Sequence, residues 1–152
     1  MQRRFGMYVE LGEFSGLTHD IIGAAIEVHR ALGPGLLEST YMPCLQYELR
    51  ARRLKFIAER AVPIVYKGVA IDAKHRVDLI VEDRVLVEVK SVAVMAPVFE
   101  AQLLTYLFLT ECPVGLLINF NVPLLTDGVI RKVNRKTYRG KADGAGGGNG
   151  RL

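Results

Sequence analysis

The chain has 152 residues, half of them hydrophobic and 24% charged, which suits one globular domain with a real core and excludes a disordered or fibrous protein. No apolar run nears the roughly 18–20 residues of a membrane helix. The net charge of +4 is uneven: from Arg131 onward seven basic residues face Asp143 alone, so residues 1–130 are slightly acidic and the chain is not a uniformly basic nucleic-acid binder. Its positive end could touch phosphates or simply act as a solubilising tail.

Residues 1–16 have little periodicity and read as an extension; Met1-Gln2-Arg3-Arg4 precedes no apolar stretch of secretory type. Thr18 is the expected N-cap of a first helix, with Leu17 and Ile22 placed as a hydrophobic staple. Ile22, Ala25, Ile26 and His29 then follow the spacing of a buried helical face, where His29 is expected to be partly buried and hydrogen-bonded. Gly33-Pro34-Gly35 ends that helix. A second helix starts near Leu37 and gathers Arg50, Arg52, Arg53 and Lys55 at its C-terminal end, where the helix dipole favours cations.

From Phe56 the period changes. Phe56 to Tyr66 is β-branched and aromatic, and Pro63 argues for an edge strand or a bulge. A short strand over Val69 to Ile71 precedes strands over 76–82 and 85–92, separated by a turn at Glu82-Asp83-Arg84. Pro97 opens a third helix reaching about Glu111. Val114 to Phe120 is an apolar run of strand length, so residues 85–120 form a βαβ unit with parallel strands. A last strand covers Val129 to Val133. The domain is expected to span 17–138, followed by a Gly-rich disordered tail over 139–152. Cys44 and Cys112 make neither a CxxC nor a zinc pattern and read as buried thiols of a cytoplasmic protein. His19 and His75 read as exposed element ends.

Three charged residues interrupt apolar strands. Asp78 lies within Val77-Asp78-Leu79-Ile80-Val81, and Glu88 and Lys90 within Leu86-Val87-Glu88-Val89-Lys90. Strand alternation puts Glu88 and Lys90 on one face. Asp78 joins them only if the intervening loop has three residues, Glu82-Asp83-Arg84, or if a bulge intervenes. A two-residue loop sends it to the opposite face. Paired directly, the two carboxylates would stand roughly 5 Å apart and repel by roughly 3 kcal/mol. A raised pKa, the Lys90 ammonium or a bound cation would relieve that repulsion. All-oxygen ligation suits Mg²⁺ or Mn²⁺. The bland alternative is a surface salt bridge, which is costly to keep on a central strand.

The spacing Asp78…Glu88-Val89-Lys90 resembles the D…ExK signature of the PD-(D/E)XK nuclease superfamily. Leu32-Gly33-Pro34-Gly35-Leu36-Leu37-Glu38-Ser39-Thr40-Tyr41 is similar to the motif that names the GxxExxY family, with Gly35, Glu38 and Tyr41 at its named positions. Glu100 to Leu107 resembles that family's Q-x3-Y helix, with Gln102 and Tyr106, and Gly115 to Phe120 its next strand. Together these motifs cover about residues 17–134.

The resemblance implies an α/β fold with a restriction-endonuclease-like α-β-β-β-α-β core and a central mixed sheet flanked by helices. It implies Asp78, Glu88 and Glu38 as metal ligands, Lys90 as the catalytic lysine, and Gln102 and Tyr106 as substrate contacts. Phe99 stands where the family often has histidine. On the residues alone, Glu38 suits a dipole-favoured helix start, Gln102 a locally bonded amide and Tyr106 a core aromatic with its hydroxyl satisfied.

The expected function is Mg²⁺- or Mn²⁺-dependent hydrolysis of phosphodiesters in DNA or RNA, in repair or defence. The alternative is a non-catalytic module of the same fold that binds nucleic acid or a protein partner. A homodimer is compatible with either, and no membrane association is expected.

Overall fold

The computed structural model describes residues 14–72 and 74–136; the expected extension over 1–13 and the Gly-rich tail lie outside them. In chain order the elements are α1 (Ser15–Leu32), α2 (Glu38–Ala51), β1 (Phe56–Ala61), β2 (Ile64–Tyr66), β3 (Val69–Ile71), β4 (Arg76–Val81) and β5 (Val85–Lys90). They continue with α3 (Pro97–Thr110), β6 (Val114–Asn119), a 3-10 turn (Leu125–Gly128) and β7 (Val129–Val133).

Five strands form one mixed sheet in the order β1-β4-β5-β6-β7. β5 and β6 are parallel across the α3 crossover, and the other pairs are antiparallel. Removing α1, the separate β2–β3 hairpin and the added β7 leaves the expected α-β-β-β-α-β order. The expected strand over 56–66 is two strands, because Val62 and Pro63 break it and Pro63 has no N–H to give a ladder. β1 takes the edge of the sheet, as Pro63 suggested.

Strand alternation sorts the core into two layers. Leu79, Val81, Val85, Val87 and Val89 pack with α1 and α2 on one face, and Ile80, Leu86 and Leu117 pack with α3 on the other. Gly115 permits that second contact, since a Cβ there would lie 2.9 Å from Leu103 Cδ1 and 3.1 Å from both Leu107 methyls.

The start of α1 differs from expectation. Thr18 lies inside the helix, buried, with its hydroxyl donating to Ser15 O at 3.0 Å; Phe14 holds the cap position instead. Phe14 is buried in the core, and that tertiary packing carries the helix one turn past the residue local capping chemistry would choose. His29 is satisfied as expected, with Nε2 2.7 Å from Val122 O. Both thiols are free, but only Cys112 is buried; Cys44 is half-buried on the α2 face toward α1. No helix among the described residues is long and apolar enough to cross a membrane.

Candidate active site

The β4–β5 turn is the three-residue one. Val81 pairs with Val85, Ile80 with Leu86 and Leu79 with Val87, a register that sets Asp78 against Glu88. The regular ladder stops there, and side chains take over. Asp78 N–H donates to Glu88 Oε1 at 3.2 Å, and Val89 N–H donates to Asp78 Oδ2 at 2.7 Å. On its other side the β1–β4 ladder also omits the position of Asp78, pairing Ala58 with Leu79 and Arg60 with Val77. The residue opposite, Glu59, has a left-handed backbone (φ 53°). Val77 and Ile80 both join the core under α3, so the two-residue alternation is interrupted between them, at Asp78. A local break in the sheet thus frees backbone amides for the two carboxylates.

Burial is the main force on both acids. It raises Asp78 above the ordinary carboxylate range, opposed by the Val89 N–H and by Lys90. Glu88 is pushed up to about 8, first by burial and then by the charge of Asp78. Asp78 Oδ1 and Glu88 Oε2 accept no hydrogen bond from a described residue, and no ion pair joins Lys90 to either acid. Lys90, on the same strand face as Glu88, instead places Nζ 4.8 Å from the centre of the Phe99 ring.

Glu38 adds its negative charge to both acids from the first turn of α2. Its Oε1 accepts a long 3.4 Å bond from Ser91 N, directly after the strand that carries Glu88 and Lys90. Ser91 Oγ also donates to Leu36 O. Tyr41 completes this junction: its hydroxyl donates to Gly33 O at 2.6 Å and accepts from Leu36 N at 3.1 Å, while its ring stacks on Phe120 at 4.5 Å. Gly35, at φ 95°, makes the turn that side chains other than glycine would strain. The Gly35, Glu38, Tyr41 motif therefore latches α2 to the end of β5.

Gln102 and Tyr106 face the same region from α3. Gln102 Nε2 donates to Tyr106 Oη at 3.0 Å. The Tyr106 phenol is raised by burial and then by Glu88, with a smaller contribution from Asp78.

Sequence reasoning missed three residues here. His75 is exposed, as expected, yet its Nδ1 lies 3.2 Å from Tyr106 Oη. Glu59 adds repulsion at Asp78. Asn119 is buried beside Lys90, where Oδ1 accepts from Val92 N at 3.1 Å and from Asn121 N at 3.1 Å, while Nδ2 donates to Val92 O at 3.0 Å. A polar side chain closing an apolar strand was the available signal for Asn119; His75 and Glu59 carry none without tertiary contacts.

The donor set suits a hard cation. The buried Glu88 and the half-buried Asp78 each keep an oxygen without a hydrogen-bond donor, and burial raises the affinity of both for protons although Lys90 opposes it. No three His, Cys, Asp or Glu side chains converge to hold a metal among the described residues.

A pH signature follows. Glu88 has a folded pKa near 8 against an ordinary 4.5, so the folded state binds more protons between those values and stability is lost as pH rises through them. Asp78 acts in the same direction. In EDTA, calorimetry should find Tm falling by roughly 5–10 °C from about pH 5.5 to about 8.5. Glu88→Gln should flatten the slope, and a divalent cation that bound the deprotonated acids would raise Tm more at the higher pH. A Tm that rises with pH in EDTA and ignores Mg²⁺ would contradict this account.

A family model described as PD-(D/E)XK nuclease superfamily matches residues 15–132. No curated protein and no solved structure matches the chain.

Proposed function

The chain belongs to the PD-(D/E)XK nuclease superfamily, and from that membership we propose that it is a metal-dependent nuclease hydrolysing phosphodiester bonds in DNA, with RNA as the alternative substrate. The observation that carries the reading is the reciprocal bonding of Asp78 and Glu88 across a broken ladder, with Lys90 two residues further along the same strand face. An ordinary salt-bridge role for Glu88 has no support, since no ion pair involves it among the described residues. The Gly35, Glu38 and Tyr41 motif supports the narrower GxxExxY family within the superfamily.

Asp78 and Glu88 would hold Mg²⁺ or Mn²⁺, with Glu38 contributing negative charge and, in the fuller reading, a further ligand. When bound, the cation supplies Lewis acidity toward the phosphoryl group and neutralises the paired acids. The residues do the rest. The Lys90 ammonium, steadied over Phe99, faces the carboxylates' side of the sheet and can donate to the attacking water or to the charge that develops on phosphate. Asn119 holds the chain just beyond Lys90 in place. Tyr106 and Gln102 border the space in which a substrate strand would lie. Hydrolysis adds water across one P–O bond, and the departing oxygen leaves with a proton.

Cleavage of single- and double-stranded DNA and RNA with Mg²⁺ or Mn²⁺ tests the reading. Lys90→Ala should lower kcat by at least about a hundredfold while the protein still binds Mg²⁺ by calorimetry. Equal residual cleavage by the wild type and Lys90→Ala would mean contamination and sink the nuclease assignment. Metal and nucleic-acid binding without cleavage would favour a non-catalytic module.

A further inference from the structure

His75 lies just before β4, outside every motif of the sequence, yet it meets Tyr106 at the border of the candidate site. Its imidazole is tilted 59° to the Tyr106 ring with centroids 6.2 Å apart, and Nδ1 stands 3.2 Å from the phenolic oxygen. Nε2 has no hydrogen bond to a described residue, and the side chain is exposed to solvent. The imidazole therefore has one anchored nitrogen and one presented outward.

The donor inventory allows these bonds to run in one continuous direction. Gln102 Nε2 can only donate, so it occupies one lone pair of Tyr106 Oη. The phenol proton is then free to be given to His75 Nδ1. A neutral imidazole that accepts at Nδ1 carries its own proton on Nε2. Gln102, Tyr106 and His75 thus form a chain of three donors running from α3 to the solvent. The last of them is an N–H presented to solvent, on the far side of a Tyr106 hydroxyl that the charges of Glu88 and Asp78 reach.

We propose that His75 is a substrate-binding residue whose Nε2–H donates to a backbone phosphate oxygen of the nucleic acid, with its tautomer set by Tyr106 and Gln102. The proposal rests on the nuclease reading for its ligand. An N–H fixed in this way offers a phosphate a donor already oriented before binding, so little ordering is lost on contact. It also adds a phosphate contact to the one that Lys90 would make. The contact is to the strand backbone and carries no base preference.

Binding isolates this role from cleavage. Labelled short DNA and RNA, single-stranded and duplex, would be titrated in Mg²⁺ against the Asp78→Asn protein, in which hydrolysis is expected to be absent. Adding His75→Phe, which keeps a flat ring and loses both nitrogens, should weaken binding roughly tenfold. His75→Gln sets an amide N–H near the position of Nε2 and should keep most of the affinity. His75→Asn mimics Nδ1 alone and should be as weak as His75→Phe. Rescue by Asn and not by Gln would mean that His75 acts only by holding Tyr106, and would overturn the proposal. Binding unchanged by His75→Phe, or no binding of any of these nucleic acids by the parent, would overturn it as well. Cleavage by the otherwise wild-type protein is scored separately. If it is absent while the Gln, Asn and Phe series keeps the expected order, the nuclease reading fails and the phosphate contact stands.

Discussion

Asp78→Asn should abolish cleavage, by at least about a thousandfold, and at the same time raise Tm in EDTA by several degrees. The two effects have one cause. Asp78 stands opposite Glu88; burial raises the proton affinity of both acids, and the charge of Asp78 raises that of Glu88 further. The amide oxygen of asparagine can still accept from Val89 N, so the hydrogen bond that replaces the ladder survives. What is lost is a half-buried carboxylate whose charged form desolvation disfavours, a change worth about 1–2 kcal/mol in favour of the folded state at neutral pH. On the proposed reading a bound cation would lose a ligand in the same step, so Mg²⁺ should stabilise the variant much less than the wild type. Differential scanning calorimetry with and without Mg²⁺, beside a cleavage assay, reads both halves. A fall in Tm for Asp78→Asn in EDTA would show that the pair is not under electrostatic strain.

Gly128→Ala should be the most damaging small substitution away from the acids. A Cβ at this position would sit 2.2 Å from Asn119 O, 3.0 Å from Val122 Cγ2 and 3.2 Å from Asn119 C. The obstacle is backbone, so it cannot swing aside as a side-chain end can. We expect a cost of about 3 kcal/mol and a fall in Tm of roughly 10 °C. Because Asn119 holds Val92 and Asn121, the folded fraction should also lose kcat while its KM changes little. Gly115→Ala is the control. Its Cβ would meet only the ends of Leu103 and Leu107, so it should cost about 1 kcal/mol and leave kcat nearly unchanged. Equal Tm losses for the two variants would refute the distinction between backbone and side-chain obstruction.

The parallel β5-α3-β6 unit was legible because its periods are clean: an apolar strand, a proline-started helix and a second apolar strand. Glu88 and Lys90 on one face needed only alternation. The position of Asp78 was not legible, and the reason is specific. The β4–β5 turn puts Glu82 and Asp83 both in the left-handed region (φ 52° and 57°) without a glycine to announce it. Its support is tertiary: Glu82 N donates to Lys55 O at 2.8 Å, and Lys55 N donates to Glu82 Oε1 at 2.7 Å. A turn held by a residue 27 positions away gives no local sign of its length. The same holds for His75, whose partner is 31 residues distant. At α1, local capping chemistry pointed to Thr18 and was overruled by the burial of Phe14.

The left-handed kink at Glu59 has a consequence beyond the carboxylates. β1 is an outer strand, and a flat outer strand offers a row of amides and carbonyls onto which another chain can add and seed aggregates. Glu59 turns the backbone out of that row at mid-strand and leaves an exposed negative charge there. The distortion that lends Asp78 its chemistry therefore also gives the molecule a poor template for self-association, so protection of the sheet edge and construction of the site come from a single break in one ladder.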